Sequence, residues 1–291
     1  MKLADLFEQK DFVVSGEVGP VKGSDPSEAI EGAKVMEASV DVVNVTDNQS
    51  AVMRLGSLAV SHLLKNEGIE PVFQLTCRDR NRIALQSDLL SAAALGIENT
   101  LLLTGDHMVL GDHPQAKKVF DLDSVQLLAA AKGLNEGRDL EDHELEGTPD
   151  LCLGAVVNPG SDEVETQLIK MQKKIDAGAE FFQTQAVYDA DLFARFMESA
   201  AEFGAPVMVG IVPLKSAGMA RYMTQNVAGV NVPDEMVQRM KDTAKPDRKK
   251  VSAEMSADLV RKMKDACDGV HIMPLGWDDI VPDIVQGAGV E

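Results

Sequence analysis

The sequence has few cysteines and no long apolar run. Its three cysteines, Cys77, Cys152 and Cys267, lie far apart and form no CxxC pair, so their spacing indicates neither a disulfide framework nor a zinc or iron–sulfur site. No stretch approaches the roughly 20 apolar residues that span a bilayer, and Met1 to Lys10 lacks the segments of a signal peptide. We therefore expect a cytoplasmic protein with reduced thiols.

Basic side chains are also scarce. The chain has 28 lysines and arginines against 47 acidic residues, which gives a formal net charge of −19. Such a charge repels nucleic-acid phosphates and anionic lipid surfaces, so we expect neither nucleic acid nor a membrane as a partner. The 291 residues, 45% hydrophobic and 26% charged, have the composition of a globular protein and suffice for one domain, residues 1–291.

Eight short runs rich in β-branched residues predict strands. They are Phe12 to Val18, Val40 to Val45, Pro71 to Thr76, Thr100 to Leu103, Leu151 to Val157, Phe181 to Gln185, Pro206 to Val212 and Val270 to Pro274. Segments with helical periodicity separate most of them. These are Ser27 to Ala38, Val52 to Lys65, Arg80 to Leu95, Ser124 to Leu134, Asp162 to Ala177 and Asp189 to Phe203.

This alternation predicts an α/β fold with parallel strands buried on both faces. A closed (β/α)8 TIM barrel explains eight units better than an open, doubly wound sheet. A dinucleotide-binding sheet normally has GxGxxG after its first strand, where this chain has Gly16 to Pro20, GEVGP. The loop His107 to Asp121 should lie at the catalytic end and Asn135 to Pro149 at the opposite end, and residues 241–266 indicate a helical excursion outside the barrel.

Polar residues at the carboxyl ends of barrel strands form the list of candidate site residues. The list is Glu17, Thr46, Asp47, Asn48, Gln74, Thr76, Thr104, Asp106, Asn158, Gln185 and His271. Glu17 lies among apolar neighbours, where poor solvation favours the protonated form and suits the group to deliver a proton. An ordinary structural carboxylate remains an equal alternative from the pattern alone.

Other polar groups have simple structural explanations beside functional ones. The arginines from Arg78 to Arg82 either bind a phosphate or carboxylate, or pair with Asp79 and Asp88. Gly105-Asp106 is either a ligand-binding turn or an ordinary loop. His107 and His113 match no metal spacing, so we assign no metal, and His271 within an apolar strand is typical of an interior histidine whose hydrogen bonds are satisfied.

Several segments together resemble the methylenetetrahydrofolate reductase family, along essentially the whole chain. They are VSGEVGP around Glu17, VNVTDN, QLTCRDRNR, LLLTGD, KKIDAGAEFFQTQ and GIVP. The resemblance implies a barrel that holds FAD, or FMN, at its C-terminal strand ends. It further implies that NADH or NADPH supplies hydride through the flavin to 5,10-methylenetetrahydrofolate, giving 5-methyltetrahydrofolate, within one-carbon metabolism and methionine biosynthesis.

The resemblance also implies roles for individual residues. Glu17 is the general acid that protonates the departing nitrogen as the five-membered ring of the folate opens. Asp106 is a catalytic residue that also binds the pterin, and Gln185 binds the folate substrate. Five positions match the flavin site: Thr46, Gln74, Thr104, Ala155 and Lys174.

The chain departs from the family pattern at three positions, two of them among these five. Gln74 replaces a histidine, Thr104 replaces an arginine frequent in bacterial relatives, and a tyrosine expected near Val156 is absent, which leaves FAD and FMN both open. The closing GVHIMPLGWDDIVPDI resembles forms from anaerobes, some of which work with an iron–sulfur partner subunit, so reduced ferredoxin or such a partner is an alternative electron source. The family commonly forms homo-oligomers.

Two other classes of protein compete with the reductase. A pterin-binding methyltransferase barrel, which passes a folate methyl group to a corrinoid protein, needs no flavin. A non-catalytic scaffold subunit needs no proton donor, so the presence of Glu17, Asp106 and Gln185 together favours an enzyme.

Overall fold

The strands form a closed parallel barrel. The computed structural model describes residues 1–290, and in it each strand pairs with the next while β8 returns to pair with β1. The strands are β1 Val13–Val18, β2 Val42–Val45, β3 Pro71–Thr76, β4 Asn99–Leu103, β5 Cys152–Val157, β6 Phe181–Ala186, β7 Val207–Ile211 and β8 Gly269–Ile272. The barrel prediction is confirmed, since a closed ring has none of the edges of a doubly wound sheet.

Helices surround the barrel. They are α1 Leu3–Gln9, α2 Ser27–Met36, α3 Ser57–Asn66, α4 Arg82–Ala94, α5 Ser124–Asn135, α6 Val164–Asp176, α7 Ala190–Ala200, α8 Ala217–Asn226, α9 Asp234–Asp242, α10 Arg248–Met263 and α11 Val281–Ala288. The helix α10 packs against α7 and α11, which is the predicted excursion outside the barrel.

Capping residues explain where some of these helices begin. The side chain of Asp123 accepts a hydrogen bond from the main-chain N–H of Gln126, whose own side chain accepts from the N–H of Asp123. This capping box fixes the start of α5 at Ser124, as the periodicity predicts. Asn81 caps the start of α4 with a single bond, because its side chain accepts from the main-chain N–H of Ala84.

The predicted strand boundaries agree with the structure within two residues, but one predicted helix start is wrong. The helix expected from Val52 begins only at Ser57. Before it, Asn48, Ser50 and Ala51 have φ angles of 46°, 56° and 57°, and a right-handed helix cannot pass through left-handed residues. This turn shapes the loop after β2, which contributes to the site described below.

The barrel interior has an apolar floor beneath a polar layer. The floor lies at the amino ends of the strands and contains Leu3, Val13, Val42, Val72, Leu101, Cys152, Phe181 and Met208. Two residues farther along their strands, where side chains again point into the barrel, lie the buried polar residues Ser15, Asn44, Gln74, Gln183 and His271. The chemistry-bearing residues therefore face the carboxyl ends of the strands.

The short helix α1 covers the floor from outside. Leu3 is fully buried, and its main-chain N–H donates to Asn99 Oδ1 at 2.7 Å. The Phe7 ring packs against Phe181 with 6.2 Å between ring centroids. Because these contacts close the amino end of the barrel with apolar groups, water approaches the polar layer from the carboxyl end.

None of the helices within residues 1–290 combines the length and the apolar character that a membrane crossing requires.

Candidate active site

A cleft opens at the carboxyl ends of β1 and β8 and encloses about 770 Å³ of space continuous with solvent. Its walls come from β1, the loop after β2, helix α2 and the loop after β8. The lining residues are Glu17, Val18, Gly19, Glu28, Ala29, Gln49, Arg54, Leu275, Gly276 and Asp278. Three carboxyl groups and one guanidinium thus face the same space.

Glu17 is a buried carboxyl group on the wall of this cleft. Only 7% of the residue is exposed, and its two oxygens have different neighbours. Oε2 accepts from Gln74 Nε2 at 3.1 Å and lies 3.4 Å from His271 Nε2. Oε1 has a longer contact of 3.5 Å from Gln49 Nε2. A group buried this deeply yet next to a cleft has the arrangement expected of a proton donor.

Behind Glu17, buried polar side chains continue across the barrel. Ser15 Oγ lies 2.8 Å from His271 Nδ1, and Gln183 Nε2 donates to Ser15 Oγ at 3.4 Å. Gln183 and Asn44 exchange two amide hydrogen bonds of 2.9 and 3.2 Å. The predicted interior histidine is therefore confirmed, since His271 is 3% exposed and its ring is bonded within the core.

Arg54 is the cation of the cleft. Its main-chain N–H donates to Asn48 Oδ1 at 2.8 Å, and Nη1 donates to the carbonyl of Pro20 at 3.0 Å. These bonds fix the side chain between the loops after β1 and β2. Burial also raises the pKa of Asp278 in the same cleft above its ordinary value.

A buried ion pair between Asp47 and Arg80 joins the ends of β2 and β3. The Asp47 carboxylate, whose side chain is 0% exposed, receives Arg80 Nη1 at 2.7 Å and Nη2 at 3.2 Å. Thr76 adds a main-chain and a hydroxyl donor at 3.0 and 2.7 Å. Arg80 also donates to Asp88 at 2.8 Å. With four donors, this carboxylate has a structural role at the strand ends.

The neighbouring arginines are paired as well. Arg78 is 2% exposed, binds Asp79 with a shortest distance of 2.7 Å, and donates to main-chain carbonyls of Asn48 and Asp106 at 3.3 and 3.5 Å. Arg82, which is exposed, binds the half-buried Asp121. Of the two explanations for this basic cluster, the structure supports internal pairing.

The loop that carries Asp106 leans over the loop after β2. Asp106 itself is exposed, and its main chain is held by Arg78. Farther along, Asp112 accepts from Met53 N–H at 3.1 Å and pairs with Lys22. Gly111 approaches Ala51 so closely that an added Cβ would lie 1.8 Å from the Ala51 carbonyl oxygen. The loop is thereby fixed at one edge of the site.

The two histidines of this loop are at the surface. His107 accepts from Val109 N–H at 3.3 Å, and His113 lies 2.8 Å from Asp112. No group of three or more histidines, cysteines or acids that could hold a metal occurs within residues 1–290. Burial raises the pKa of Cys77 and of Cys152 to about 12, so these thiols stay protonated near neutral pH.

A β-bulge positions Gln185. The register between β6 and β7 shifts between Gln183 and Ala186, and Gly210 N–H donates to Thr184 Oγ1 at 2.8 Å instead of to a ladder carbonyl. Gln185 is half-buried, and its Oε1 accepts from Ala186 N–H at 2.9 Å. Bulges at strand ends redirect a side chain in this way next to many sites.

The five positions matched to a flavin site differ in how well they fit such a ligand. Thr46 Oγ1 is buried without a hydrogen-bond partner among the described residues, and Gln74 is 6% exposed beside Glu17. Both fit a bound ring or its polar edge. Thr104 is exposed, and its hydroxyl accepts from Ser124 N–H at 3.2 Å.

Ala155 on β5 and Lys174 on α6 offer less to a flavin. The Ala155 side chain belongs to the core between barrel and helices, so main-chain groups are what it can present to the interior. Burial lowers the pKa of Lys174 to about 8, and its amine donates to the Val156 carbonyl at 2.6 Å. The chain thus fits a flavin best at the ends of β2 and β3.

Sequence reasoning missed part of this site. Ser15 and Gln183 lie inside strands rather than at their ends, and Gln49 and Arg54 lie in a stretch that includes the wrongly predicted helix start. The one signal that was available is the spacing of two between Ser15 and Glu17 in an otherwise apolar strand, which places both on the same face. Asn158 lies elsewhere and donates to the Ala228 carbonyl at 2.9 Å.

The structure is a closed (β/α)8 barrel with a buried carboxyl group facing a cleft at the carboxyl ends of its strands, the end where barrel enzymes carry their active sites. The chain belongs to the methylenetetrahydrofolate reductase family, whose sequence model matches residues 2–289. This confirms the predicted family.

Individual relatives agree. The chain is 26% identical to methylenetetrahydrofolate reductase 2 of Schizosaccharomyces pombe over 253 residues, 78% of this chain but 37% of the yeast protein. It is 25% identical to 5,10-methylenetetrahydrofolate reductase of Pectobacterium carotovorum over 299 residues, 99% of this chain and 93% of that protein. The chain therefore spans about a third of the eukaryotic relative and nearly all of the bacterial one.

Among solved structures, the chain resembles an uncharacterized protein from Clostridium thermocellum that binds two copies of 5-methyl-5,6,7,8-tetrahydrofolic acid. The TM-score is 0.67 at 14% sequence identity, and the match covers 99% of both chains. At this identity the likeness establishes the shared barrel fold.

Proposed function

We propose that the protein reduces 5,10-methylenetetrahydrofolate to 5-methyltetrahydrofolate. In the balanced reaction a hydride whose two electrons come from the electron donor adds to the methylene carbon, a C–N bond of the five-membered ring breaks, and a proton adds to the departing nitrogen. The observation that carries the proposal is the buried Glu17 carboxyl beside a cleft, in a chain whose family has this activity in its name.

Glu17 supplies the proton in this proposal. Protonation of the departing nitrogen generates the reactive iminium, and general-acid catalysis of this kind contributes roughly 10² to 10⁴ in rate. Asp106 and Gln185 bind the pterin, and the Arg54 guanidinium provides positive charge in the cleft for an anionic substrate. The direction of the reaction in the cell follows from the supply of electrons.

A flavin, FAD or FMN, supplies the hydride-carrying chemistry when bound. Thr46 and Gln74 would hold its ring at the ends of β2 and β3, and main-chain groups at Ala155 and the side chains of Thr104 and Lys174 would be further contacts. The unpartnered hydroxyl of Thr46 supports this placement. NADH, NADPH or an iron–sulfur partner subunit delivers the electrons, and we propose a homo-oligomeric cytoplasmic enzyme.

The direct experiment is the visible spectrum of the protein with FAD or FMN, before and after anaerobic NADH and then 5,10-methylenetetrahydrofolate. Flavin absorption that bleaches with NADH and returns with the folate supports the proposal. Absorption that ignores NADH but bleaches with dithionite and returns with the folate indicates a separate electron donor. A protein that binds neither flavin but transfers a methyl group to a corrinoid protein would be a methyltransferase.

The Glu17→Gln variant tests the proton donor. We expect flavin reduction by the donor to persist while folate reduction falls by roughly 10² to 10⁴. The matched control is Glu8→Gln, the same chemical change on the exposed face of α1 at the opposite end of the barrel, which should leave both rates unchanged. Folate turnover near the wild-type rate in Glu17→Gln would exclude this mechanism.

A further inference from the structure

The buried polar side chains of the barrel interior lead to a single atom of Glu17. At the end of this series farthest from Glu17, the side chains of Asn44 and Gln183 exchange two amide hydrogen bonds. Gln183 Nε2 also donates to Ser15 Oγ. Ser15 then contacts His271 Nδ1, and His271 Nε2 faces Glu17 Oε2. All five residues are buried, none more than 7% exposed.

These hydrogen bonds suit one histidine tautomer. A hydroxyl that accepts from Gln183 still has its own hydrogen to donate, and His271 Nδ1 is an acceptor 2.8 Å away. In the Nε2–H tautomer, Nδ1 accepts from Ser15 and the ring hydrogen is on Nε2. That N–H points toward Glu17 Oε2 at 3.4 Å.

Two N–H groups thus face the same oxygen of Glu17, because Gln74 also donates to Oε2. An oxygen that already receives two donors is the poorer place for an added proton. The proton of the carboxylic acid consequently resides on Oε1, the oxygen beside Gln49, which itself lines the cleft.

We propose that His271 is a positioning residue for Glu17: Ser15 holds its ring in the Nε2–H tautomer, and the ring fixes Oε2 so that Oε1 delivers the proton to the substrate. This inference rests on the proposed function for the identity of the acceptor, a folate ring nitrogen. The tautomer and the contact with Glu17 are independent of it. His271 donates no proton to substrate, and it stabilises the carboxylate that remains after proton delivery.

The other charged groups that face Glu17 do not duplicate this contact. Glu28 on α2, Arg54 after β2 and Asp278 after β8 line the cleft on its solvent side. His271 approaches from β8 inside the barrel, where Gln74 of β3 is the other donor. Replacing His271 therefore changes the interior side of Glu17 and leaves the cleft wall in place.

Two substitutions of His271 separate its two contacts. His271→Gln carries an amide that reaches the former Nε2 position and can donate to Glu17. His271→Asn is shorter, reaches only the Nδ1 position and faces Ser15. We expect His271→Asn to slow folate reduction by about tenfold or more, the effect of one hydrogen bond to a charged group, with KM for the folate nearly unchanged. His271→Gln should restore most of the rate.

The pH profile of the two variants tests positioning against general loss of structure. Removing the donor to Oε2 changes the surroundings of the Glu17 carboxyl group, so the pH dependence of folate reduction should change in His271→Asn and match that of the wild type in His271→Gln. Equal losses in both variants with an unchanged pH profile would overturn the proposal, and His143→Gln on the surface serves as control.

Nitrogen NMR of the imidazole rings in the full-length protein provides a test without turnover. We expect His271 to show an unprotonated Nδ1 and a protonated Nε2, and Ser15→Ala to make the ring a mixture of tautomers. A ring protonated on Nδ1 in the unmodified protein would overturn the inference whatever the activity. Conversely, the expected tautomer in a protein that never reduces folate would support the contact between His271 and Glu17 and refute the proposed function.

Discussion

Removal of Arg80 isolates the contribution of the buried ion pair at the ends of β2 and β3. In Arg80→Met the Asp47 carboxylate, 0% exposed, keeps its two bonds from Thr76 but loses its positive partner. Breaking a buried pair by removing one member costs about 3–5 kcal/mol, because an uncompensated charge stays buried. The remaining Thr76 donors and the 19% exposure of Arg80 place our expectation at the lower end, about 3 kcal/mol.

The assay is urea unfolding at pH 7, followed by circular dichroism. With a denaturant slope of about 3 kcal/mol/M, a loss of 3 kcal/mol lowers the midpoint by about 1 M. The matched control is Arg82→Met, two residues away in the same cluster. Arg82 and Asp121 are 46% and 30% exposed, so this substitution should leave the midpoint almost unchanged.

A double substitution identifies the cause of the loss. If the cost arises from the buried charge of Asp47, Arg80→Met in an Asp47→Asn background should cost less than about 1 kcal/mol, since only the solvent-accessible Asp88 then loses its charged partner. Equal midpoints for Arg80→Met and the wild type, or equal losses in Arg80→Met and Arg82→Met, would refute the reasoning that burial decides which of these arginines matters.

Two further predictions concern Lys174 and the bulge. Because burial lowers the pKa of Lys174 to about 8, its charged form destabilises the fold below pH 8, and this cost disappears between pH 8 and 10.5. From pH 7 to pH 10 the unfolding free energy of the wild type should therefore gain about 2 to 3 kcal/mol relative to that of Lys174→Met. Parallel pH curves for the two proteins would contradict this. In Gly210→Ala, the new Cβ would lie 2.3 Å from the Thr184 carbonyl oxygen, so we expect a loss of about 2–4 kcal/mol in urea unfolding, whereas Gly23→Ala, which meets nothing within 4 Å, should be neutral.

The fold could be predicted from the sequence because each strand is an apolar run with turn residues on both sides. The eight predicted strands match the observed ones within two residues, and the capping pair Asp123 and Gln126 fixes α5 where periodicity placed it. The start of α3 could not be predicted, since Ser50 and Ala51 carry no sequence sign of their left-handed backbone. Both are ordinary residues in helices.

The candidate site was partly predictable for a different reason. Glu17 follows from the barrel rule, since it lies at the end of β1 with apolar neighbours. Its partners do not, because Ser15 and His271 are 256 positions apart and meet only when β8 closes on β1. A histidine within a strand gives no indication of which residue its ring faces, so sequence reasoning could assign it only to the interior.

The apolar floor gives the site a direction. With α1 and the lowest layer of side chains closing the amino end, the polar interior opens toward the carboxyl ends of the strands. In the proposed mechanism, a proton that leaves Glu17 would be replaced from the same end at which the substrate enters and the product departs. Reprotonation of Glu17 would then follow product release, which would give the proposed catalytic cycle a fixed order.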